Sequence, residues 1–387
     1  MKIKKLFLIL LFNFVIIKLT FENVDGDYKS KLKRRQMKAR ERIKKQKSEV
    51  KYLGERGEGE QEVHKHQRHQ QHQQEKETEM ATCSCHRKIP LNLFRNISNS
   101  EYSFEFDIYG NIRGLLGEGA TAKVYHAFSF KINTCIALKY FFPNFVNEYT
   151  EEVNFYKEFM KQSGENIQNI IHQFNHNDEK LEIAMEIADM DLKGYIEIKR
   201  SNYNESEFLF EVFNQTAYLL FAISNIHEVA VHMDLKPQNI MMINGIPKIA
   251  DFGFSKIKRW IKKGEDFQYG TFQFMSPELA NFDHDIKNVA TKPDIWALGV
   301  VIFQMLFGFD QYPYSVMDGM LQQIVYLTRH KPDKVDYTNV FGKLEQYRKT
   351  NKYLVERIMG IIERCLNTNP YERPEAEELY EQLSQSY

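Results

Sequence analysis

The sequence predicts an α+β fold in two lobes, a small β-rich one followed by a larger helical one. Short alternating apolar stretches dominate from Ile108 to Ile187, interrupted by one helical segment that bears Glu152. Long apolar runs with helical spacing dominate from Phe208 to Ile226 and again after Pro293. The folded portion is also of the size, ~250–300 residues, at which a single core stops growing and divides. Composition sets the remaining boundaries. Residues 1–26 read as a targeting or anchoring segment, 27–88 as a polar leader, 89–107 as an N-terminal extension and 108–387 as the folded domain, whose lobes meet near residues 188–189.

Taken in order, the small lobe opens with Gly117-Glu118-Gly119-Ala120-Thr121-Ala122-Lys123-Val124, a glycine-bearing turn between two strands. Ile136-Ala137-Leu138-Lys139 is an apolar strand ending in a lysine, and a buried lysine needs a carboxylate partner to stay charged at tolerable cost. Glu152-Val153-Asn154-Phe155-Tyr156-Lys157-Glu158-Phe159 has helical charge and apolar spacing, which makes Glu152 the best partner, with Glu151 and Glu148 on neighbouring turns as alternatives. Leu181 to Ile187 alternates as a strand and runs into Ala188 and Asp191-Leu192.

The large lobe carries the most informative stretch, His232-Met233-Asp234-Leu235-Lys236-Pro237-Gln238-Asn239, followed by Asp251-Phe252-Gly253. An acid, an amine, an amide and a second acid stand at the spacing that phosphoryl transfer requires: one carboxylate near the attacking hydroxyl, and oxygen ligands for Mg²⁺. Further on come Gly270-Thr271, Ser276-Pro277-Glu278, Asp294-Ile295-Trp296-Ala297-Leu298-Gly299 and Arg373-Pro374. An isolated Asp-Phe-Gly is most often a turn and an isolated Gly-x-Gly a hairpin, but their joint occurrence in this order is highly specific.

These motifs together resemble the eukaryotic protein kinases of the Ser/Thr type, over roughly residues 104–385. The resemblance implies the two-lobed fold, ATP and Mg²⁺ as cofactors and protein Ser/Thr hydroxyls as substrates. It assigns Asp234 to the substrate hydroxyl, Lys236 to the transferred phosphoryl, Asn239 and Asp251 to Mg²⁺, and Lys139 with Glu152 to the nucleotide phosphates. Gly117 and Gly119 would cradle phosphates and Val124 would cover the adenine, with Ala137 and Met241 also among the cofactor-binding residues. Glu186 and Ala188 would hydrogen-bond adenine through their backbones, with Met185 as gatekeeper and Asp191 near the ribose. His232 becomes structural, forming a packed column with Phe252 and Tyr156. Lys236 and Thr271 point to Ser/Thr rather than Tyr specificity. Glu278 pairs with Arg373.

Ser276 stands for the usual alanine of Ala-Pro-Glu, and two further letters depart from the family pattern. Ala122 stands at the third glycine, and Met233 replaces the arginine before the catalytic aspartate. That arginine commonly pairs with a phosphate on the activation segment, which methionine cannot do. The segment between Asp251 and Thr271 offers only Ser255 and Tyr269 as hydroxyl residues. The expectation is a loop ordered by packing, with Trp260, Ile261 and Phe267 as candidates, and an enzyme active as synthesised or switched by a partner. The competing reading is a pseudokinase or nucleotide-binding scaffold, motivated by the same two letters.

The net charge of zero is a cancellation. Residues 29–51 hold twelve Lys or Arg against two Glu, so the rest of the chain, drawn from totals of 52 and 52, is acidic by ten. The basic tract suits an anionic surface, lipid or polyanion. From Tyr28 to about Met80 apolar residues are few and the sequence becomes Gln- and His-rich, the composition of a solvated low-complexity leader. Metal binding by these histidines with Cys83, Cys85 and His86 is the less favoured reading. Lys2, Lys4 and Lys5 precede the apolar run Leu6 to Ile17, a signal-peptide pattern that implies the secretory route, with an uncleaved membrane anchor as the alternative. Cys135 and Cys365 read as packed hydrophobes with distant partners, and Cys83 and Cys85 as a pair outside the domain open to bridging another chain. Asn96-Ile97-Ser98, Asn204-Glu205-Ser206 and Asn214-Gln215-Thr216 match the glycosylation triplet.

Overall fold

Alternating and β-branched residues build a seven-stranded antiparallel sheet in the first lobe. Its strands are β1 (Phe94–Asn96), β2 (Ser103–Glu105), β3 (Leu115–Glu118), β4 (Ala122–Ser129), β5 (Thr134–Phe141), β6 (Gln173–Asn177) and β7 (Glu182–Met185), in the order β1-β2-β4-β5-β7-β6 with β3 also on β4. β1 and β2, from the segment set apart in the sequence as an extension, thus pair into the same sheet as the lysine strand. The computed structural model describes residues 82–164 except 84, 86, 97–100 and 108, and residues 169–261, 270–280, 289–314 and 334–384. The expected targeting segment and basic tract, with His86, Ser98, Phe267 and Tyr269, lie outside the described residues.

Helix α1 (Val146–Ser163) crosses between β5 and β6 and packs Tyr149 and Val153 onto Phe141, Ile183 and Ala122. The other face of the sheet buries Ile136 and Leu138 against Tyr102, Phe104 and Ala184. β5 is therefore covered on both faces, which fixes its register and with it the place of Lys139.

The second lobe begins with β8 (Met190–Asp191), α2 (Leu192–Asn202) and α3 (Glu205–His227). Asn204 closes a capping box on α3, its side chain accepting from the Glu207 amide, so one glycosylation-like triplet is a helix start. β9 (Ala230–Val231), β10 (Ile240–Ile243), β11 (Ile246–Ile249) and β12 (Lys256–Ile257) follow; β8, β10 and β11 form one small sheet, β9 and β12 another. Then come α4 (Pro277–Ala280), α5 (Lys292–Phe307), α6 (Phe341–Cys365) and α7 (Ala376–Ser384).

Helix α5 is buried on every side from Pro293 to Phe307, as an apolar-all-round helix must be. Gly299 lets α6 approach it; a Cβ there would come within 2.6 Å of the Cys365 Cβ. Among the described residues no helix is long and apolar enough to cross a membrane.

The column joining the lobes differs from expectation at one position. Phe252 stacks on Phe155 and Phe159 of α1, with ring centres 5.2 and 6.2 Å away, and meets His232 edge-on at 5.3 Å. Tyr156 is not in it; its hydroxyl accepts from the Gln173 amide at 2.9 Å and lies 3.2 Å from His172 Nδ1. Consecutive helical residues point about 100° apart, so only one of the two aromatic neighbours can face the lobe junction.

Candidate active site

Strand β5 delivers Lys139 to the cleft, and α1 delivers Glu152. The Lys139 ammonium donates to Glu152 at 2.7 Å and to Asp251 at 2.9 Å. Glu152 is buried and bonded to the ammonium, whereas Glu151 is exposed and Glu148 half-buried on the neighbouring turn, so the alternatives fall away. Burial by itself would lower the Lys139 pKa, but the carboxylates of Asp251 and Glu152 outweigh it and raise it. In return, Lys139 holds the Asp251 carboxyl at about 2. The cleft therefore keeps a fixed cation and a fixed anion at neutral pH.

β3 and β4 form the glycine-bearing hairpin, closed by the Gly119 amide donating to the Ala122 carbonyl at 2.9 Å. A Cβ at Gly117 would meet nothing within 4 Å of the protein. The space beside this hairpin is open, as a loop laid over phosphates needs. Ala122 is no defect there: its side chain is buried against Phe141 and Tyr149, facing the core. Val124 is half-buried and Ala137 buried on the adjoining strands.

On the opposite wall, Met241 of β10 pairs with Asp191 of β8. Asp191 caps α2, one carboxylate oxygen accepting from the Gly194 amide at 2.8 Å. Glu186 is held by Lys248 of β11 through both carboxylate oxygens, at 2.8 and 2.6 Å, and its amide donates to the His172 carbonyl. Met185, at the end of β7, sits opposite Ala137 of β5. Ala188 lies half-buried in the connection between the lobes.

The loop of residues 232–239, together with Thr271, gathers four donors around Asp234. Its Oδ2 accepts from Lys236 at 2.7 Å and from Asn239 Nδ2 at 3.0 Å. Its Oδ1 accepts from the Thr271 amide at 2.8 Å and hydroxyl at 3.0 Å. Lys236 also donates to the Thr271 hydroxyl at 2.9 Å. Asn239 spends its amide nitrogen on Asp234, which leaves the amide oxygen for a cation; Asp251 offers its ionised carboxylate. This hard-oxygen pair fits Mg²⁺, which takes one or two protein carboxylates and completes its shell with phosphates and water. MgATP would supply the phosphoryl group and neutralise its charge. In that reaction the chain's own part would be to orient a hydroxyl at Asp234, take its proton there and place the Lys236 ammonium beside the transferred group.

Three residues escaped sequence reasoning as site builders. Asp294, read only as the start of a buried helix, accepts from the His232 amide at 2.6 Å, from the Met233 amide at 2.7 Å and pairs with His227 at 3.1 Å. It thereby holds Met233 at φ +69°, a left-handed conformation that costs a side chain of this kind about 1–3 kcal/mol. Gly270 lies against Asp234 so closely that any Cβ would overlap the carboxylate. Its signal was its place just before Thr271. Phe155 is the third, as the column shows.

The described parts of the activation segment, residues 251–261 and 270–280, are held by apolar packing and by ion pairs. Met233 is buried in a cluster with Val231, Ile261, Met275, Leu279 and Ala290. Ile261 thus meets the expectation, but Trp260 does not: it is 49% exposed. Ser255 is buried, its hydroxyl donating to the His232 carbonyl at 3.0 Å. Arg259 pairs with Glu158 of α1, tying the segment to the helix that carries Glu152. At its far end, Glu278 receives both Arg373 amino groups at 2.6 Å each.

Fold and site define a protein kinase. The protein kinase domain family matches residues 111–383, well over half of the sequence, and the chain belongs to that family. It is similar to a probable serine/threonine-protein kinase mps1 of Dictyostelium discoideum, 26% identical over 277 residues, covering 67% of this chain and 26% of that one. It is also similar to the serine/threonine-protein kinase MPS1 of Encephalitozoon cuniculi (26% identical; 68% of this chain, 41% of that one). A probable cell division protein kinase of the same organism is 28% identical over 279 residues, covering 70% of this chain and 96% of its own. The chain thus spans about a quarter to two-fifths of the two MPS1-type relatives.

Proposed function

We propose that the protein is a catalytically active serine/threonine kinase that transfers the γ-phosphoryl of MgATP to protein hydroxyls without needing a phosphate on its activation segment. The observation that carries this is the completed charge relay of the cleft: Lys139 between Glu152 and Asp251, and Asp234 bound by Lys236, Thr271 and Asn239. Loss of a metal ligand or of the base is what abolishes phosphoryl transfer, and none is lost here. The burial of Met233 among apolar side chains supports the absence of a phosphate requirement. Asp234→Asn should lower the transfer rate by ~10²-fold or more with MgATP binding preserved. Wild-type protein that binds MgATP yet transfers nothing to itself or to a broad peptide library would make it a scaffold.

The same reading carries the leader into the secretory route, as a cleaved signal or an uncleaved anchor. Three lysines before the apolar run Leu6 to Ile17 support it. The basic tract at 29–51 then tethers the enzyme to an anionic surface, lipid or polyanion. Such a tether weakens with salt, because exposed charges are screened over ~8 Å at physiological ionic strength. N-terminal sequencing of the native protein with its location tests the first part: Met1 and Lys2 still in place on a cytosolic protein would refute it. Deleting residues 29–51 tests the second, and unchanged localisation would refute it.

A further inference from the structure

Cys365 is a packed hydrophobe as the sequence suggested, but the other three cysteines do not sit where it placed them. Cys135, expected to be a lone packed hydrophobe, is the neighbour of Cys83 and Cys85. With His126 they offer three sulfurs and a ring nitrogen, all within 4.8 Å of one another. Cys83 Sγ lies 3.4 Å from Cys85 Sγ, and Cys85 Sγ lies 3.6 Å from His126 Nε2. Cys83, His126 and Cys135 are buried, and Cys85 is partly so.

Simple packing does not turn four ligand atoms of this kind toward one point. A disulfide needs about 2.05 Å between sulfurs and would use two of three. Four ligands held tetrahedrally at ~2.3 Å for sulfur and ~2.0–2.1 Å for nitrogen lie about 3.5–3.8 Å apart, close to the separations seen here. We infer that Cys83, Cys85, His126 and Cys135 form a closed structural zinc site that staples the segment before β1 onto the sheet of the ATP-binding lobe.

The surroundings suit a metal. His126 turns its other nitrogen, Nδ1, toward Glu105 Oε2 at 3.6 Å, beyond hydrogen-bond length but in the direction of the carboxylate–histidine contact that fixes a ligating imidazole. Gly114, at φ +81°, makes room for that pair; a Cβ there would stand 2.9 Å from Glu105 Oε2. The Ile89 amide donates to Cys83 Sγ at 3.2 Å, and the turn is closed by the Cys83 amide on the Ile89 carbonyl at 2.8 Å. His126 and Cys135 come from paired strands and share a face, since His126 opposes Ala137 and Cys135 opposes Phe128. Soft thiolates with one imidazole favour zinc over Mg²⁺ or Ca²⁺, and four protein ligands leave no open position, so the site is structural rather than catalytic.

Its effect is local. Cys135 stands four residues before Lys139 on β5, and Ile187, between Glu186 and Ala188 in the connection between the lobes, packs against the same cluster. The staple would therefore brace the lysine strand and that connection together.

The test uses the full chain, purified under reducing conditions without chelator. It should carry one zinc per chain by elemental mass spectrometry and show the visible bands of tetrahedral cobalt when Co²⁺ replaces it. Stripping the metal should lower the melting midpoint, with Zn²⁺ but not Mg²⁺ restoring it. Cys85→Ser, at the most exposed ligand, should abolish stoichiometric zinc. Glu105→Gln, which keeps all four ligands, should weaken zinc affinity ~10–100-fold. Metal-free wild-type protein whose melting does not respond to added Zn²⁺ would overturn the inference, as would a Cys83–Cys85 or Cys85–Cys135 disulfide in the peptide mass map. None of these readouts depends on kinase activity.

Discussion

Two stretches of the activation segment are anchored by opposite physics. Near its middle, Ile261 sinks into the apolar cluster around Met233. At its end, Glu278 is locked by Arg373, whose remaining donors go to the Asn367 carbonyl at 2.6 Å and the Lys292 carbonyl at 2.9 Å, with the guanidinium 5.0 Å over the Trp296 ring. Both anchors are buried, Arg373 at 2% and Met233 at 6% exposure. A buried ion pair is intolerant, because removing one partner strands a charge; an apolar cluster is graded, because its strength follows the volume that fills it. The ionic anchor therefore specifies one geometry, and the apolar anchor would, on the proposed function, hold its stretch of the segment without a phosphate.

The largest expected effect is on the ionic side. Arg373→Ala should destabilise the protein by about 3–5 kcal/mol, and Arg373→Lys should not restore it, since lysine cannot grip both carboxylate oxygens. Chemical denaturation measures this, and a loss under about 1 kcal/mol would mean that Glu278 finds other partners. The apolar side should give less. Met233→Ala is expected to cost about 2 kcal/mol, the lower end for such a truncation, while Met233→Leu should stay within ~1.5 kcal/mol. Equal losses for the two variants would show that volume is not what matters there.

Asp294 lies beneath the apolar anchor and titrates. Burial alone would raise its carboxyl, but the hydrogen bond and charge of His227, with the His232 contacts, bring it below the ordinary aspartate value. A depressed folded pKa contributes stability that is present above the unfolded value of about 3.9 and is lost as pH falls through the folded one. Stability should thus decline on acidification below about pH 4, and Asp294→Asn should flatten that decline as well as lower stability at neutral pH. An unchanged acid profile in the variant would assign the decline to other carboxylates.

The smallest effect is the sharpest test of the contrast. Phosphatase treatment should leave the transfer rate unchanged, since Ser255 is buried and the Thr271 hydroxyl is bound to Asp234 and Lys236. A tenfold fall traced to either residue or to Tyr269 would show that the apolar anchor is insufficient.

Much of the site was legible in the sequence because its motifs are short. Asp234, Lys236 and Asn239 share one loop, and Asp251 follows a hairpin later, so their spacing survives as a pattern. The choice between Phe155 and Tyr156 was not legible, for both are aromatic and adjacent, and only the angle of α1 against Phe252 separates them. Nor was Trp260 separable from Ile261: burial depends on which side of the chain meets the cluster.

Residue order alone settled the class of chemistry and the two-lobed α+β arrangement, because periodicity and loop motifs act over a few neighbours. Tertiary structure decided which carboxylate serves Lys139, what fills the place of a phosphate-binding arginine and where the thiols meet. Cys83, Cys85, His126 and Cys135 come from a turn and two strands. Their convergence depends on strand register and on the docking of the segment before β1, and contacts across such distances leave no periodic trace in the chain.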